Sequence, residues 1–188
     1  MAENLPAVEL AVLSEESLRR AETDKAARRA LDPDSPTAGQ WQRVSEVDAV
    51  NTAFLATVVD RVGWPGTRLV GSDAAHAAWL LAQHAPAEDR ARWLPLLAAG
   101  VDPDDEVAVR DHAYLADRVA TDTRRPQRWG TQSLCFPGKG CRLYPLDDAP
   151  GVNARRVSIG VEPLTEAVLA AAYPSYDTIN AARGLPAP

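Results

Sequence analysis

The longest uninterrupted helical pattern in this chain covers residues 38–62, and it constrains the fold more than any other feature. Apolar side chains recur there at the spacing of one helix face: Val44, Val47, Val50, Phe54, Leu55, Val58, Val59 and Val62. A stripe of this kind is typical of a helix that buries one face in a core. Gly63 ends the pattern as a C-terminal stop, and a turn is predicted at Trp64-Pro65-Gly66.

The same reasoning predicts further helices over residues 6–31, 73–85, 86–100 and 103–119, and two short ones near 152–158 and 163–172. Helical periodicity is lost from about Thr121 to Gly151, where Thr131–Phe136 and Cys141–Leu146 predict a small β-hairpin. We therefore expect a single domain over residues 1–188 of the mainly α class. Its architecture would be an irregular bundle of five or six helices with the small β-hairpin, and its C-terminal tail, residues 174–188, would be loose.

Charge and composition exclude several classes of partner and place. The net charge is −6, so neither nucleic acid nor an anionic membrane surface is expected as a partner. No apolar run reaches the roughly 20 residues that span a bilayer, and the N-terminus lacks the pattern of a secretory signal. We expect a cytoplasmic protein, and the Ala, Arg, Asp and Pro bias is typical of a high-GC actinobacterial genome. Cys135 and Cys141 flank the predicted hairpin turn and could form a disulfide, but a reducing cytosol favours free thiols.

His84, at the end of the helix predicted over residues 73–85, is the first candidate for chemistry. His76 and Gln83 lie on the same broad face of that helix. A histidine with a partner on this face would serve as a general acid or base near neutral pH. The alternative is a C-terminal histidine that binds the last carbonyls of its helix.

Tyr114, Asp117 and Arg118 form a second candidate group. They lie at positions i, i+3 and i+4 of the helix predicted over residues 103–119, so they share a face. A carboxylate beside a guanidinium would orient a histidine and bind an anionic substrate, and the alternative is an ordinary ion pair. Gln132 lies in a loop and has an amide that suits substrate recognition, whereas a buried structural glutamine is the alternative.

No metal site or cofactor is expected. Zinc needs three or four ligands at suitable spacing, and neither the pair His76 and His84 nor the pair Cys135 and Cys141 has the spacing of a helical ligand pair or a cysteine knuckle. The sequence also has no glycine-rich phosphate loop and no G-x-S-x-G nucleophile motif.

Several short blocks occur here in an order that resembles an uncharacterised bacterial family, the domain of unknown function DUF6624. The blocks span about residues 44–170 and are Gly63-Trp64-Pro65, Leu69-Val70-Gly71, Gln83-His84-Ala85, Leu94-Pro95-Leu96-Leu97, Ala113 to Val119, Pro126 to Gln132 and Val152-Asn153-Ala154-Arg155-Arg156, with Gly160 and Pro163-Leu164. The family pattern usually has Asp where Pro86 stands here, and Tyr where Trp129 stands here.

The resemblance implies which polar residues cluster, and it does not imply a reaction. By this analogy the cluster would contain His84, Asp117, Arg118, Gln132 and either Arg155 or Arg156. If the carboxylate that the family usually has after this block takes part in the chemistry, Pro86 predicts that the activity of this chain differs from that of the family.

We therefore expect a small metal- and cofactor-independent enzyme. It would perform acid/base chemistry (hydrolysis, elimination, cyclisation or isomerisation) on a small polar or peptide-like metabolite, in bacterial specialised-metabolite biosynthesis. His84 and Asp117 would be catalytic, and the substrate would be bound by Gln83, Tyr114, Arg118, Gln132 and Arg155. The alternative is a non-catalytic ligand- or protein-binding module, and the sequence leaves a homodimer open.

Overall fold

A computed structural model describes residues 5–136 and 140–183 of the chain. The described residues form nine helices and one two-stranded sheet, which confirms the mainly α class. The helices outnumber the five or six expected for the bundle, and the two that were not predicted are the short ones at Thr67–Val70 and Tyr176–Ala182. The chain divides into two compact units, residues 1–111 and 112–188, and the single-domain expectation stays a prediction.

The first unit contains α1 (Ala7–Arg29), α2 (Ala38–Val62), α3 (Thr67–Val70), α4 (Ser72–His84), α5 (Ala87–Gly100) and the start of α6 (Glu106–Asp122). Helices α1, α2 and α4 pack against one another. Apolar residues of α2 and α4, such as Leu55, Ala78 and Leu81, are buried in this packing. By contrast, α1 buries Ser17, Ala21 and Asp24, so its contribution to the interior is small and polar.

The ends of these helices follow from local side-chain chemistry. Helix α2 begins with a capping box, because Thr37 Oγ1 accepts from the Gln40 amide and Gln40 Oε1 accepts from the Thr37 amide. Helix α6 begins at Glu106 and not at residue 103 as predicted. Asp105 Oδ1 accepts from the peptide N–H groups of Val107 and Ala108, and this carboxylate therefore acts as the N-terminal cap.

The second unit contains the rest of α6, strands β1 (Ser133–Phe136) and β2 (Gly140–Leu143), α7 (Val152–Val157), α8 (Glu166–Ala171) and α9 (Tyr176–Ala182). The strands are antiparallel, with Ser133 opposite Leu143. They are shorter than predicted. Beyond Ser133 and Leu143 the side-chain amide nitrogen of Gln127 donates to the carbonyls of Gln132 and Tyr144.

Two expectations about this unit were wrong. Cys135 and Cys141 lie opposite each other in the hairpin and form a disulfide, so they are not free thiols. The C-terminal tail is not loose over its described part, since α9 buries Ile179 and Asn180 and the Tyr176 hydroxyl donates to the Arg125 carbonyl. Residues 184–188 of that tail lie outside the described residues.

Within residues 5–136 and 140–183, none of the helices combines the length and the apolar character that crossing a membrane requires.

The disulfide predicts a measurable contribution to stability. Replacing both cysteines, Cys135→Ser with Cys141→Ser, should lower the free energy of unfolding by about 2 kcal/mol, because the closed loop is short. Guanidinium unfolding without reductant measures the difference. A reductant should lower the free energy of unfolding of the native chain and leave that of the double variant unchanged. Two thiols reactive toward Ellman's reagent in the denatured, unreduced chain would contradict the disulfide.

Candidate functional site

His84 is the last residue of α4, and its imidazole is bonded to a carboxylate of α1. The Nδ1 atom lies 3.0 Å from Asp24 Oδ1. The His84 side chain is 21% exposed, whereas that of Asp24 is 1% exposed. A neutral imidazole that donates from Nδ1 to a carboxylate keeps Nε2 as its acceptor, and no described residue forms a hydrogen bond with that Nε2 atom.

Two further side chains complete this group, which we call the His84 cluster: Asp24, Arg28, Asp48 and His84. Arg28 Nη1 donates to Asp24 Oδ1 over 2.7 Å, and Nη2 lies 2.9 Å from both carboxylate oxygens of Asp48. The Arg28 guanidinium therefore joins α1 to α2. Burial raises the pKa of the Asp48 carboxyl, and the hydrogen bond from Arg28 opposes that rise.

The charges of the His84 cluster balance when the histidine is protonated. Asp24 and Asp48 are carboxylates and Arg28 is always a cation, so a neutral His84 leaves the cluster with one net negative charge. A proton on His84 brings the net charge to zero. A proton that His84 takes up would therefore not leave the cluster with an excess of positive charge.

Three members of the His84 cluster also offer ligand atoms for a metal ion. Asp24, Asp48 and His84 each offer a ligand atom, and these atoms lie within 4.8 Å of one another. However, Arg28 already binds both carboxylates, and His84 uses Nδ1 for Asp24. A divalent cation would have to displace the guanidinium, so the described geometry suits an ion-pair network better than a metal centre.

The last carbonyls of α4, which His84 would bind in the structural alternative, are bound by Arg90. Its Nη1 atom donates to the carbonyl of Ala85 and lies 3.5 Å from the carbonyl of Gln83, so Arg90 binds the last carbonyls of α4. The Gln83 residue itself is buried. The His84 imidazole is bonded across to α1 instead.

Asp117, the second predicted catalytic residue, binds the loop of residues 127–132. Its oxygens accept from the peptide N–H groups of Arg128, Trp129 and Thr131 over 2.7, 3.1 and 3.0 Å, and from the Thr131 hydroxyl. Asp117 is 1% exposed, and burial raises its pKa while these hydrogen bonds act in the opposite direction. Its carboxylate therefore fixes the loop backbone.

Arg156 binds the same loop through its carbonyls. Its Nη1 atom donates to Trp129 O and Gly130 O, and its Nε donates to Glu162 O. Gly130 has a φ of 65°, and a Cβ there would lie 3.0 Å from a Leu164 methyl group, so both conformation and space require glycine. The loop therefore donates peptide N–H groups to the Asp117 carboxylate, and two of the loop carbonyls accept from the Arg156 guanidinium.

The other predicted residues of the second unit also form internal contacts. Gln132 is buried and its side-chain amide donates to Thr131 Oγ1, with Tyr114 O at 3.5 Å. Arg155 donates to Asp148 Oδ2 over 2.7 Å and to the Arg128 carbonyl. Tyr114 and Arg118 are half-buried on α6. The structure thus brings Tyr114, Asp117 and Gln132 together, and their convergence with His84 stays a prediction.

Sequence reasoning missed Asp24, Arg28 and Asp48. The signal was present in α1, where Ser17, Ala21, Asp24 and Arg28 follow one another at helical spacing and the first three are buried. An aspartate four residues before an arginine is nevertheless typical of exposed helical ion pairs, so this pattern alone does not predict a functional site.

The model of the family described as "Family of unknown function (DUF6624)" matches residues 11–175. The chain belongs to this family. The match begins within α1, so it includes Asp24 and Arg28, which lie before the region of about 44–170 that the motif blocks had outlined. No curated protein and no solved structure matches the chain.

The loop contacts of Asp117 predict a structural effect. Asp117→Ala should lower the free energy of unfolding by roughly 2–4 kcal/mol, because three peptide donors and a hydroxyl lose a buried charged acceptor. Urea unfolding measures this, with Glu162→Ala as the control, since Glu162 is exposed and its side chain makes no hydrogen bond in the described structure. Equal stability of the two variants would show that the loop does not depend on Asp117.

Proposed function

We propose that this chain is a metal- and cofactor-independent enzyme that performs general acid/base chemistry, with His84 as the group that moves the proton. Its substrate would be a small polar or peptide-like metabolite. The observation that carries the proposal is the bond between His84 Nδ1 and the buried Asp24 carboxylate, which leaves Nε2 as the acceptor on a half-buried imidazole.

Each member of the His84 cluster has a distinct part in the proposal. Asp24 positions the imidazole, as a carboxylate behind a histidine does in other acid/base sites. Arg28 and Asp48 hold Asp24 in place, since Arg28 bonds to both carboxylates. Asp24 is thus proposed for the orienting role that the sequence had suggested for Asp117.

The reaction classes that fit are those in which one proton leaves an atom of the substrate and one is delivered to another. Hydrolysis, elimination, cyclisation and isomerisation share this need. A single histidine can first accept the proton at Nε2 and then return it, so atoms and charge balance without a further reactant other than water in the hydrolytic case. A place in cytoplasmic specialised-metabolite biosynthesis remains part of the proposal.

The proposal predicts the tautomer of His84. In the neutral state Nδ1 should carry the proton, because it donates to Asp24, whereas Nε2–H predominates for a solvent-exposed histidine side chain in water. Imidazole ¹⁵N NMR of the full chain measures this, and the three histidines are assigned with His76→Gln, His84→Gln and His112→Gln. Asp24→Ala should return His84 to the Nε2–H form. An Nε2–H tautomer in the native chain would rule out Asp24 as the orienting group.

The proposal also predicts that the chain turns over a metabolite. The native chain, incubated with a small-molecule extract of bacterial cells, should consume at least one metabolite, which mass spectrometry detects. His84→Gln should slow that conversion by roughly 10²–10⁴-fold, since a positioned acid/base contributes about that factor. His112→Gln is the matched control, because His112 packs edge-on against Trp129 and should leave the rate unchanged. Native-like turnover by His84→Gln would refute the proposal, and binding without turnover would favour the non-catalytic module.

A further inference from the structure

A second histidine of α4 is bonded to a carboxylate at a separate place in the first unit. His76 Nδ1 lies 2.8 Å from Asp111 Oδ2, and Asp111 is buried. The His76 ring stacks on Trp79 with centroids 4.9 Å apart, and its side chain is 41% exposed. No described residue forms a hydrogen bond with its Nε2 atom. This pair shares no residue with the His84 cluster.

His76 and Asp111 line a hollow that also contains two indole rings, those of Trp64 and Trp79. The hollow is small, with a cavity volume of about 20 Å³. That volume holds one or two groups of the size of a water molecule. Much of the remaining wall is small and apolar, with Ala75, Leu97, Val101, Val107 and Ala108 among its members.

The charges on the wall of the hollow are negative. Among the described residues, its lining includes the carboxylates of Asp105 and Asp111 and no lysine or arginine. Asp105 accepts from the hydroxyls of Thr67 and Ser72 and from two peptide N–H groups, so its hydrogen-bond donors are all neutral. Two indoles beside two carboxylates are the surroundings that attract a small organic cation.

We propose that this hollow binds the ammonium end of a small amine, which donates to His76 Nε2 and lies against the indoles of Trp64 and Trp79. Asp111 keeps the His76 ring in the tautomer whose Nε2 accepts. The limited room fits an ammonium or methylammonium group, and the rest of a larger amine would lie at the mouth. This site does not depend on the chemistry proposed for His84.

His76 also borders a groove between α1 and α4, but the charges there differ. Lys25 and Glu22 line that groove together and form an ion pair of 2.9 Å. The lysine supplies a cation of its own beside Glu22 and Asp73, and none of the described residues of this groove carries an indole, so the groove lacks the aromatic faces of the hollow. The ammonium site is therefore assigned to the side that Trp64 and Asp111 line.

Methylammonium chloride is the probe that tests this site. It is titrated into the full chain at pH 8 and constant ionic strength, and the His76 and indole NMR signals are followed. We expect saturable shifts of His76, Trp64 and Trp79, and none with methanol or formate, which match the probe in size but not in charge. Asp111→Asn should weaken binding roughly tenfold, whereas Asp60→Asn, the same charge change at an exposed position of α2, should leave it unchanged.

A second variant keeps the test decisive if Asp111→Asn does not fold. Trp79→Leu removes one aromatic face and should weaken methylammonium binding by roughly two- to thirtyfold. Three results would overturn the proposal: no saturable shift with methylammonium, equal shifts with methanol, or equal weakening by Asp60→Asn and Asp111→Asn. Because the probe reports on His76, failure here leaves the tautomer and turnover tests of His84 unaffected.

Discussion

A single buried carboxylate, that of Asp24, holds the His84 cluster together. A charge enclosed by α1, α2 and α4 is tolerated only when it is paired and hydrogen-bonded. Arg28 and His84 supply the two donors, and Arg28 in turn draws in Asp48. The helix packing and the candidate site therefore depend on the same interaction, since any step that removes Asp24 leaves a half-buried guanidinium and an unoriented imidazole.

In the second unit, a carboxylate and a guanidinium stabilise a loop and not a helix contact. The loop of residues 127–132 has peptide groups that no helix or strand satisfies, and such groups need partners when buried. Asp117 accepts from the peptide N–H groups of the loop, and Arg156 donates to its carbonyls. The Gln127 side chain donates to the Gln132 carbonyl and accepts from the Gln132 peptide N–H. These contacts account physically for several of the polar blocks that resemble the family, because they hold a loop in one conformation.

Helix α4 presents two histidines, each bonded at Nδ1 to a buried aspartate of another helix. His84 meets Asp24 of α1, and His76 meets Asp111 of α6. Their surroundings differ, because His84 has a guanidinium nearby, whereas His76 lies against indoles beside a small hollow. The first setting carries the proposal of a proton-transfer group, and the second carries the proposal of an imidazole that accepts from a bound cation.

The sequence by itself determined most of the helices. Residues 38–62 were predicted with the bounds that α2 has, because a periodic apolar stripe and a terminal glycine are both local signals. It also singled out His84 and the loop around Gln132. Only the tertiary structure decided that Asp24 lies beside His84, that the two cysteines are bonded, and that Asp117 binds backbone amides. Periodicity reports which face of a helix a residue occupies, whereas its partner across 60 residues of chain depends on how separate helices pack.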